Sequence, residues 1–409
     1  MWEIRTITED DADLFRSRLS RGFGSDRDTD AASAERFRAI FDYDRTFAVF
    51  DEGDIIGTGA AFSLGLTVPG GIEVPMAGTT VITVQPTHRR RGVLRALMAR
   101  HLDEVADNGE PLAGLWASES SIYGRFGYGV ASYRYSAEVD SRALHIHQTP
   151  GADSGRVRLI DSDESATVLP PFYEELRLTR PGMLTRSDAW WTHRLLADVE
   201  SWRGGKSAQR YVLNEEGGEV RGYAIYRQKS KWENFVADGE VDVVEVITAD
   251  PLAHRSLWAF LTRVDLFPRV EWWNLPVDDP LPASVTDQRR IRRSVADGLW
   301  VRLMNVPEAI EARRYESDGR VTVSVTDPTR PATGGTFVIE VEGGQASCTA
   351  TNVEPDVSLG IDVLGHLYLG GGNALTMARA GRITGDPEAV RALHRVFRTD
   401  TAPWCPEVF

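Results

Sequence analysis

Apolar positions along the chain fall mostly into short runs broken by Gly- and Pro-marked turns, with a few stretches of helical spacing between them. Thr46–Phe50 and Ile55–Phe62 are rich in β-branched and aromatic residues and predict strands; Thr79–Val84 predicts a stronger one. Asp10–Leu19 reads as an early helix. A second helix opens near Gly92 and runs to about Asp107, and Leu112–Trp116 predicts the next strand. A turn-rich stretch from His147 to Gly155, holding Pro150 and Gly151, closes this first region.

The region that follows, about 156 to 290, repeats the first. Gly57-Thr-Gly-Ala-Ala-Phe aligns with Gly222-Tyr-Ala-Ile-Tyr-Arg. Without a gap, Val81-Ile-Thr-Val-Gln-Pro86 then falls on Val246-Ile-Thr-Ala-Asp-Pro251, an offset of 165 throughout. The apolar helix behind it keeps its register roughly, with Leu94, Leu97 and Met98 against Ala259, Phe260 and Leu261. The copies differ where it matters chemically: Arg91-Gly92 has become Ser256-Leu257.

The last region starts with a strand at Leu299–Met304 and a short helix opened at Pro307. Strands at Val321–Val325 and Phe337–Val341 follow, then helices at Ile361 to Leu369 and Ala374 to Ala380. The final helix is marked by Asp386 as N-cap, Pro387 in its first turn and Glu388 behind it. Val390, Leu393 and Phe397 then share a face. The tail Thr401-Ala-Pro-Trp-Cys-Pro-Glu-Val-Phe409 carries too many anchors for a frayed end and is expected to dock. The expected domains are 1–150, 151–292 and 293–409.

Composition narrows the classes. At 409 residues, 42% apolar and with 11 Trp, the chain can bury several cores and is not disordered. A net charge of -14 argues against nucleic acid as partner. No apolar run approaches the ~20 residues of a membrane span, and the first residues lack the pattern of a signal peptide, so a cytoplasmic protein is expected. Cys348 and Cys405 are too few for a disulfide framework or a zinc site, and no metal is expected.

Within this acidic chain, His88 to Arg100 holds Arg89, Arg90, Arg91, Arg95 and Arg100 and no acid. A strand ends at Pro86, a loop follows, and a helix starts near Gly92. The first turn of a helix presents unpaired N–H groups at the positive end of its dipole. A glycine there admits close approach of an anion, and flanking guanidiniums add charged hydrogen bonds. A pyrophosphate is the fitting ligand; a basic, solvated helix start is the plainer reading. A dinucleotide fold is disfavoured, because Gly-x-Gly-x-x-Gly is absent.

Downstream, Ala113-Gly-Leu-Trp-Ala-Ser118-Glu119 runs into Ser120-Ser-Ile-Tyr123-Gly-Arg-Phe126-Gly-Tyr128-Gly. Here the sequence resembles the GCN5-related N-acetyltransferases, in which such a loop holds the pyrophosphate of acetyl-CoA and a tyrosine faces its sulfur. Leu94 departs from that pattern, which prefers Gly or Ala. The loop, the tyrosine segment, the altered second copy and the last region together resemble the enhanced-intracellular-survival (Eis) acetyltransferases over the whole chain. Ile361-Asp-Val-Leu-Gly-His-Leu-Tyr-Leu-Gly-Gly with Ala380-Gly-Arg resembles a sterol carrier module. The implied fold is α/β (α+β): two tandem acetyltransferase-like domains, the second degenerate, and a C-terminal sterol-carrier-protein-like domain.

The resemblance implies roles residue by residue. Ile82, Thr83 and Val84 would pair with pantetheine through backbone groups. Arg90, Arg91, Gly92, Val93, Leu94 and Arg95 would surround the pyrophosphate, and Ser118 with Glu119 would border the cofactor. Tyr123 would be the general acid toward the departing thiolate, and the Phe409 carboxylate the general base. Read without the family, Tyr123 is equally a packed aromatic and Phe409 a plain chain end. Acid–base strength permits the roles: a tyrosine near ~10 can serve a thiolate near ~8.5, whereas a terminal carboxylate near ~3.5 must orient the amine or relay through water. The implied activity is acetyl-CoA-dependent N-acetylation of polycationic amines such as aminoglycosides, by a hexamer. A protein-lysine acetyltransferase and a non-catalytic CoA- or lipid-binding protein are the alternatives.

Other residues weigh less. His88 is read as shaping the loop, and His145 and His147 as exposed. Asp26, Asp28 and Asp30 are read as a solvated loop in preference to a cation pocket. Trp190, Trp191, Trp272 and Trp273 are read as core or interface anchors.

Overall fold

The computed structural model describes residues 2–25, 30–147 and 155–409, so Asp26 and Asp28 lie outside the described residues. The chain opens with β1 (Glu3–Thr6), α1 (Ala12–Phe23) and α2 (Ala31–Ile40), then β2 (Thr46–Asp51), β3 (Asp54–Val68) and β4 (Ile72–Val84). It continues through α3 (Val93–Asp107), β5 (Leu112–Trp116), α4 (Ser120–Tyr123) and β6 (Gly129–Val130). The β3–β4 hairpin outruns its predicted pieces, pairing as far as Val68↔Ile72 across a Gly70-Gly71 turn in left-handed backbone. Gly65, Pro69 and Pro75 broke the pattern that would have shown its length. Helix α2 has little apolar periodicity to announce it. Asp30 caps it, accepting from Ser33 N at 2.7 Å, and so is neither pocket nor free loop.

Next come β7 (Tyr133–Asp140), β8 (Arg156–Ile160), α5 (Ser162–Arg177), α6 (Asp188–Trp190), β9 (Arg210–Glu216) and β10 (Glu219–Lys229). A small hairpin of β11 (Trp232–Glu233) and β12 (Val236–Ala237) precedes β13 (Glu240–Thr248), α7 (Pro251–Leu261), β14 (Arg269–Pro276), α8 (Leu281–Ser284) and β15 (Ile291–Asp297). The rest is β16 (Leu299–Leu303), α9 (Val306–Ala312), β17 (Gly319–Thr326), β18 (Gly335–Glu342), β19 (Gln345–Ala350), β20 (Val357–Gly360), α10 (Ile361–Tyr368), α11 (Ala374–Arg379), β21 (Ile383–Gly385) and α12 (Pro387–Phe397). As its sequence signals predict, α12 is capped by Asp386, which accepts from Glu388 N and Ala389 N.

Two compact units form, and they cut across the linear division at 150 and 292. One holds the residues up to Ser132, Leu178–Thr185 and Asp297–Phe409; the other holds Tyr133–Arg177 and Arg186–Ala296. The first sheet runs β1-β2-β3-β4-β5-β16-β6, and the second β15-β7-β14-β13-β10-β9-β8. Strand β16, read as the start of the last region, therefore belongs to the first sheet, where it covers the whole of β5 from Leu299↔Trp116 to Leu303↔Leu112. Strand β7 serves the second sheet. Periodicity reveals that a strand exists; its partner depends on which edge is open.

The repeat survives in three dimensions. Gly57 on β3 lies so close to α3 that a Cβ would stand 3.0 Å from Val93 and Leu97. Gly222 on β10 meets Leu257 of α7 in the same way at 3.2 Å. In the last region the sheet β19-β18-β17-β20-β21 carries α10, which packs on β16 and β6. A Cβ on Gly129 would collide with Asp362 O, and one on Gly365 with Val301 O, so glycine is what lets helix and sheet touch. Among the described residues no helix is long and apolar enough to cross a membrane.

Candidate active site

Strands β4 and β5 are parallel neighbours over only three rungs, Met76↔Leu112, Ala77↔Ala113 and Gly78↔Gly114. Beyond Gly78 they part, while β5 stays paired to β16 on its other edge and β4 to β3 on its own. The parting coincides with a bulge. Val81 sits at φ +49, unusual for a β-branched residue, and its carbonyl accepts from Thr58 Oγ1 at 2.7 Å. The splayed stretch holds Ile82, Thr83 and Val84. Their side chains are engaged elsewhere: Thr83 Oγ1 meets Thr58 Oγ1 at 2.6 Å under Gly22 of α1, and Ile82 and Val84 pack with Phe47, Val49 and Ile56. What remains for a ligand there is backbone.

The loop between β4 and α3 is held at its base. Gln85 Nε2 donates to Arg18 O at 2.7 Å, and His88 lies between Thr87 Oγ1 at 2.8 Å and Asp51 at 3.5 Å. Its crest is left-handed at Arg90 (φ +62) and at Gly92 (φ +93), the N-cap of α3, and nothing lies within 4 Å of where a Gly92 Cβ would stand. Arg89, Arg90, Arg91 and Arg95 are exposed and pair with no acid among the described residues. Val93 is buried, and Leu94 packs on the core cluster under α3, so its bulk does not stand over the N–H groups. These groups make a cradle for an anion. In the second copy the matching seven residues are helical from Pro251, and the carboxylate of Asp250 accepts from Leu252 N and Ala253 N at 2.9 Å. A side chain fills there the position an anion would take.

Tyr123 closes α4 among Ala77, Met98, Ala113, Leu115, Phe126 and Tyr128. Burial pushes its hydroxyl above the usual tyrosine range; a hydrogen bond with Ser118 opposes the shift and Glu119 adds to it. At neutral pH it is a protonated donor. Ser118 and Glu119 themselves are exposed at the end of β5. Beneath lies a chain that the sequence reading missed: Thr79 Oγ1 meets both His101 Nε2 at 2.6 Å and Tyr128 OH at 2.9 Å. Burial holds Tyr128 up at about 12 and His101 down at about 3, the latter aided by Arg45 and Arg302, so the imidazole is neutral. The spacing of His101 from Leu97 and Val105 was the available signal, since it sets all three on the buried face of α3.

The tail docks, as expected. Trp404 N donates to Pro181 O at 2.9 Å and Arg180 to Ala402 O at 2.9 Å. Residues 182–185 in turn pair with β3, through Gly182 N to Thr67 O and Thr185 N to Gly65 O. Phe409 is 8% exposed, with its ring edge 3.2 Å from where a Cβ on Gly78 would stand. Gly78 shares that face with Phe62 and Leu64, whereas Ala77 and Thr79 face α3. Phe409 thus meets the last β4–β5 rung from the face opposite Tyr123's cluster. Of the remaining candidates, His145 and His147 are exposed, and Trp190, Trp191 and Trp272 are buried. Trp273 is 41% exposed under Arg134 and is no core anchor.

Comparison with known proteins bears on this arrangement. Residues 3–131 and 182–303 each match an acetyltransferase (GNAT) domain, and residues 306–406 a sterol carrier protein domain. The N-acetyltransferase Eis of Mycobacterium tuberculosis is 37% identical over 380 residues, covering 90% of each chain. The chain belongs to the Eis-type GNAT acetyltransferases. An uncharacterized N-acetyltransferase of Streptomyces avermitilis is also 37% identical, over 100% of this chain and 99% of the relative. The crystal structure of Eis1 from Mycobacterium abscessus superimposes over the full length of both chains, with a TM-score of 0.86 at 30% identity. This Eis-type enzyme is an acetyltransferase built of two GNAT domains and a sterol-carrier-like domain. The second GNAT match ends at residue 303 and so includes β16, the strand that completes the first sheet.

Proposed function

We propose that this enzyme transfers the acetyl group of acetyl-CoA to primary amines of polycationic small molecules, aminoglycosides among them. The observation that carries the reading is the gap where β4 and β5 part after Gly78↔Gly114, with Tyr123's cluster on one face and Phe409 on the other. Backbone groups of Ile82, Thr83 and Val84 would pair with the pantetheine arm. The cradle from Arg90 to Arg95 would take the pyrophosphate, with Ser118 and Glu119 along the opposing strand. The amine nitrogen attacks the thioester carbonyl, the C–N bond forms, and collapse of the tetrahedral adduct breaks the C–S bond. Tyr123 gives its proton to the leaving sulfur, and the Phe409 carboxylate, directly or through water, takes one from the amine. An acidic surface at net charge -14 attracts a polycation.

We also propose a hexameric, cytoplasmic enzyme. The exposed Trp232, Phe235 and Val236 of the β11–β12 hairpin are the kind of surface that assembly covers. The test is release of free CoA thiol on mixing acetyl-CoA with an aminoglycoside, beside a lysine-bearing protein and a monoamine panel. Release with the aminoglycoside is expected. Thiol released only with the protein would favour protein-lysine acetylation, and tight CoA binding with no release would leave a binding protein.

A further inference from the structure

The helical turn that carries Tyr123 runs on through Gly124–Phe126 and stops at Gly127 (φ +84). Gly127 N donates to Gly124 O at 3.0 Å and Tyr128 N to Tyr123 O at 3.3 Å. The carbonyls of Arg125 and Phe126 come last in the turn, where no intrahelical donor remains. Both find donors far along the chain. Arg302 Nη1, on β16, donates to Phe126 O at 2.6 Å across 176 residues, and Thr329 Oγ1 donates to Arg125 O at 2.9 Å across 204. Arg302 is fully buried and paired with Asp327, which is equally buried just past β17. The other oxygen of Asp327 accepts from Thr329 N and Arg330 N, both at 3.0 Å, and Arg330 pairs with Asp103 on α3. A side chain on Gly127 would run into the Arg302 guanidinium.

A buried ion pair is a poor way to gain stability, since apolar residues of similar volume do as well or better. This pair does something that apolar residues cannot. A planar guanidinium meets a carboxylate with one arm and a carbonyl with another, and places positive charge at the C-terminal end of the Tyr123 turn. We propose that Arg302 of β16, with Asp327 and Thr329 of the sterol-carrier-like domain, forms a brace that fixes the Tyr123 turn against the reacting sulfur, so that all three serve catalysis as positioning residues. The proposal rests on Tyr123 acting as the general acid.

The test compares Arg302→Lys, Thr329→Val and the double variant Arg302→Met with Asp327→Leu, each in wild-type and Tyr123→Phe backgrounds. Turnover is counted per bound CoA. Arg302→Lys should lower kcat on the order of 10- to 100-fold, as small misplacements of catalytic groups do. Thr329→Val should lower it about 3-fold, with one hydrogen bond lost from a turn still held by Arg302. KM for acetyl-CoA should stay within about twofold, because the phosphate cradle is on other elements. The double variant leaves no unpaired buried charge and so should stay folded, with a melting temperature lowered only by the backbone groups of Phe126, Thr329 and Arg330 that lose a partner, yet it should share the loss of kcat. In the Tyr123→Phe background Arg302→Lys should cost nothing further, since residues acting as one unit are not additive. Wild-type kcat in folded Arg302→Lys, beside a lowered kcat in Tyr123→Phe, overturns the brace alone. An equal Arg302→Lys defect in both backgrounds does the same. Full kcat in Tyr123→Phe overturns the general-acid reading and the brace with it.

Discussion

At Thr79 a single hydroxyl links a helix, a strand and the tyrosine segment. His101 and Tyr128 both hydrogen-bond to it, and His101 Nδ1 has no partner among the described residues. An imidazole so placed cannot readily accept a proton, since the ion would be desolvated and would face the charges of Arg45 and Arg302. The sign follows from linkage. With the folded value depressed from an ordinary 6.5 to about 3, this contribution to stability is complete above 6.5. It is lost progressively as pH falls from there toward 3, because only the unfolded chain binds the proton. The loss should approach about 1.4 kcal/mol per pH unit within that window. Urea unfolding of wild type and His101→Met at pH 7.5, 6.5, 5.5 and 4.5 measures it. The stability difference between them should shrink at that slope below pH 6.5, and a constant difference would rule out a neutral buried imidazole.

Elements separate the two copies more sharply than residues do. Seven positions that form an open, arginine-rich loop before α3 are helical in α7, where Asp250 caps the N-terminus and pairs with Arg221. An anion approaching α7 would have to displace a carboxylate already bonded to two N–H groups. Calorimetric titration with CoA should therefore find one site per chain, and two sites would contradict this account. Gly92→Ala probes the loop of the first copy. Space around Gly92 is open, so only its backbone conformation resists a side chain, at about 1 kcal/mol. Acetyl-CoA affinity should fall several-fold while the melting temperature moves little. A large loss of stability with unchanged affinity would mean that the loop serves folding instead.

Across the whole molecule, the tail is held by parts of the chain remote from it. The 178–185 segment comes back to the first unit after α5, pairs with β3 and presents Pro181 and Arg180 to residues 402–404. Gly182 (φ +97) is required there, because a Cβ would meet the Trp404 backbone within 2.8 Å. Extending the chain with a few residues after Phe409 should cut turnover strongly while leaving acetyl-CoA affinity nearly intact. Unchanged turnover in the extended protein would remove the carboxylate from the mechanism.

Much of this was legible in the residues alone. The arginine- and glycine-bearing loop around Gly92, the tyrosine segment, the offset of 165 and the capped α12 all depend on local chemistry: spacing, helix caps and backbone conformations that only certain residues allow. Other features depend on which surfaces meet, and spacing does not encode that. That β16 completes the first sheet, that Phe409 reaches Gly78 and that Arg302 meets Asp327 beneath Tyr123 are all long-range pairings. Each turns on an open strand edge, an unpaired carbonyl or a glycine-sized gap, and such vacancies exist only once the rest of the chain has folded around them.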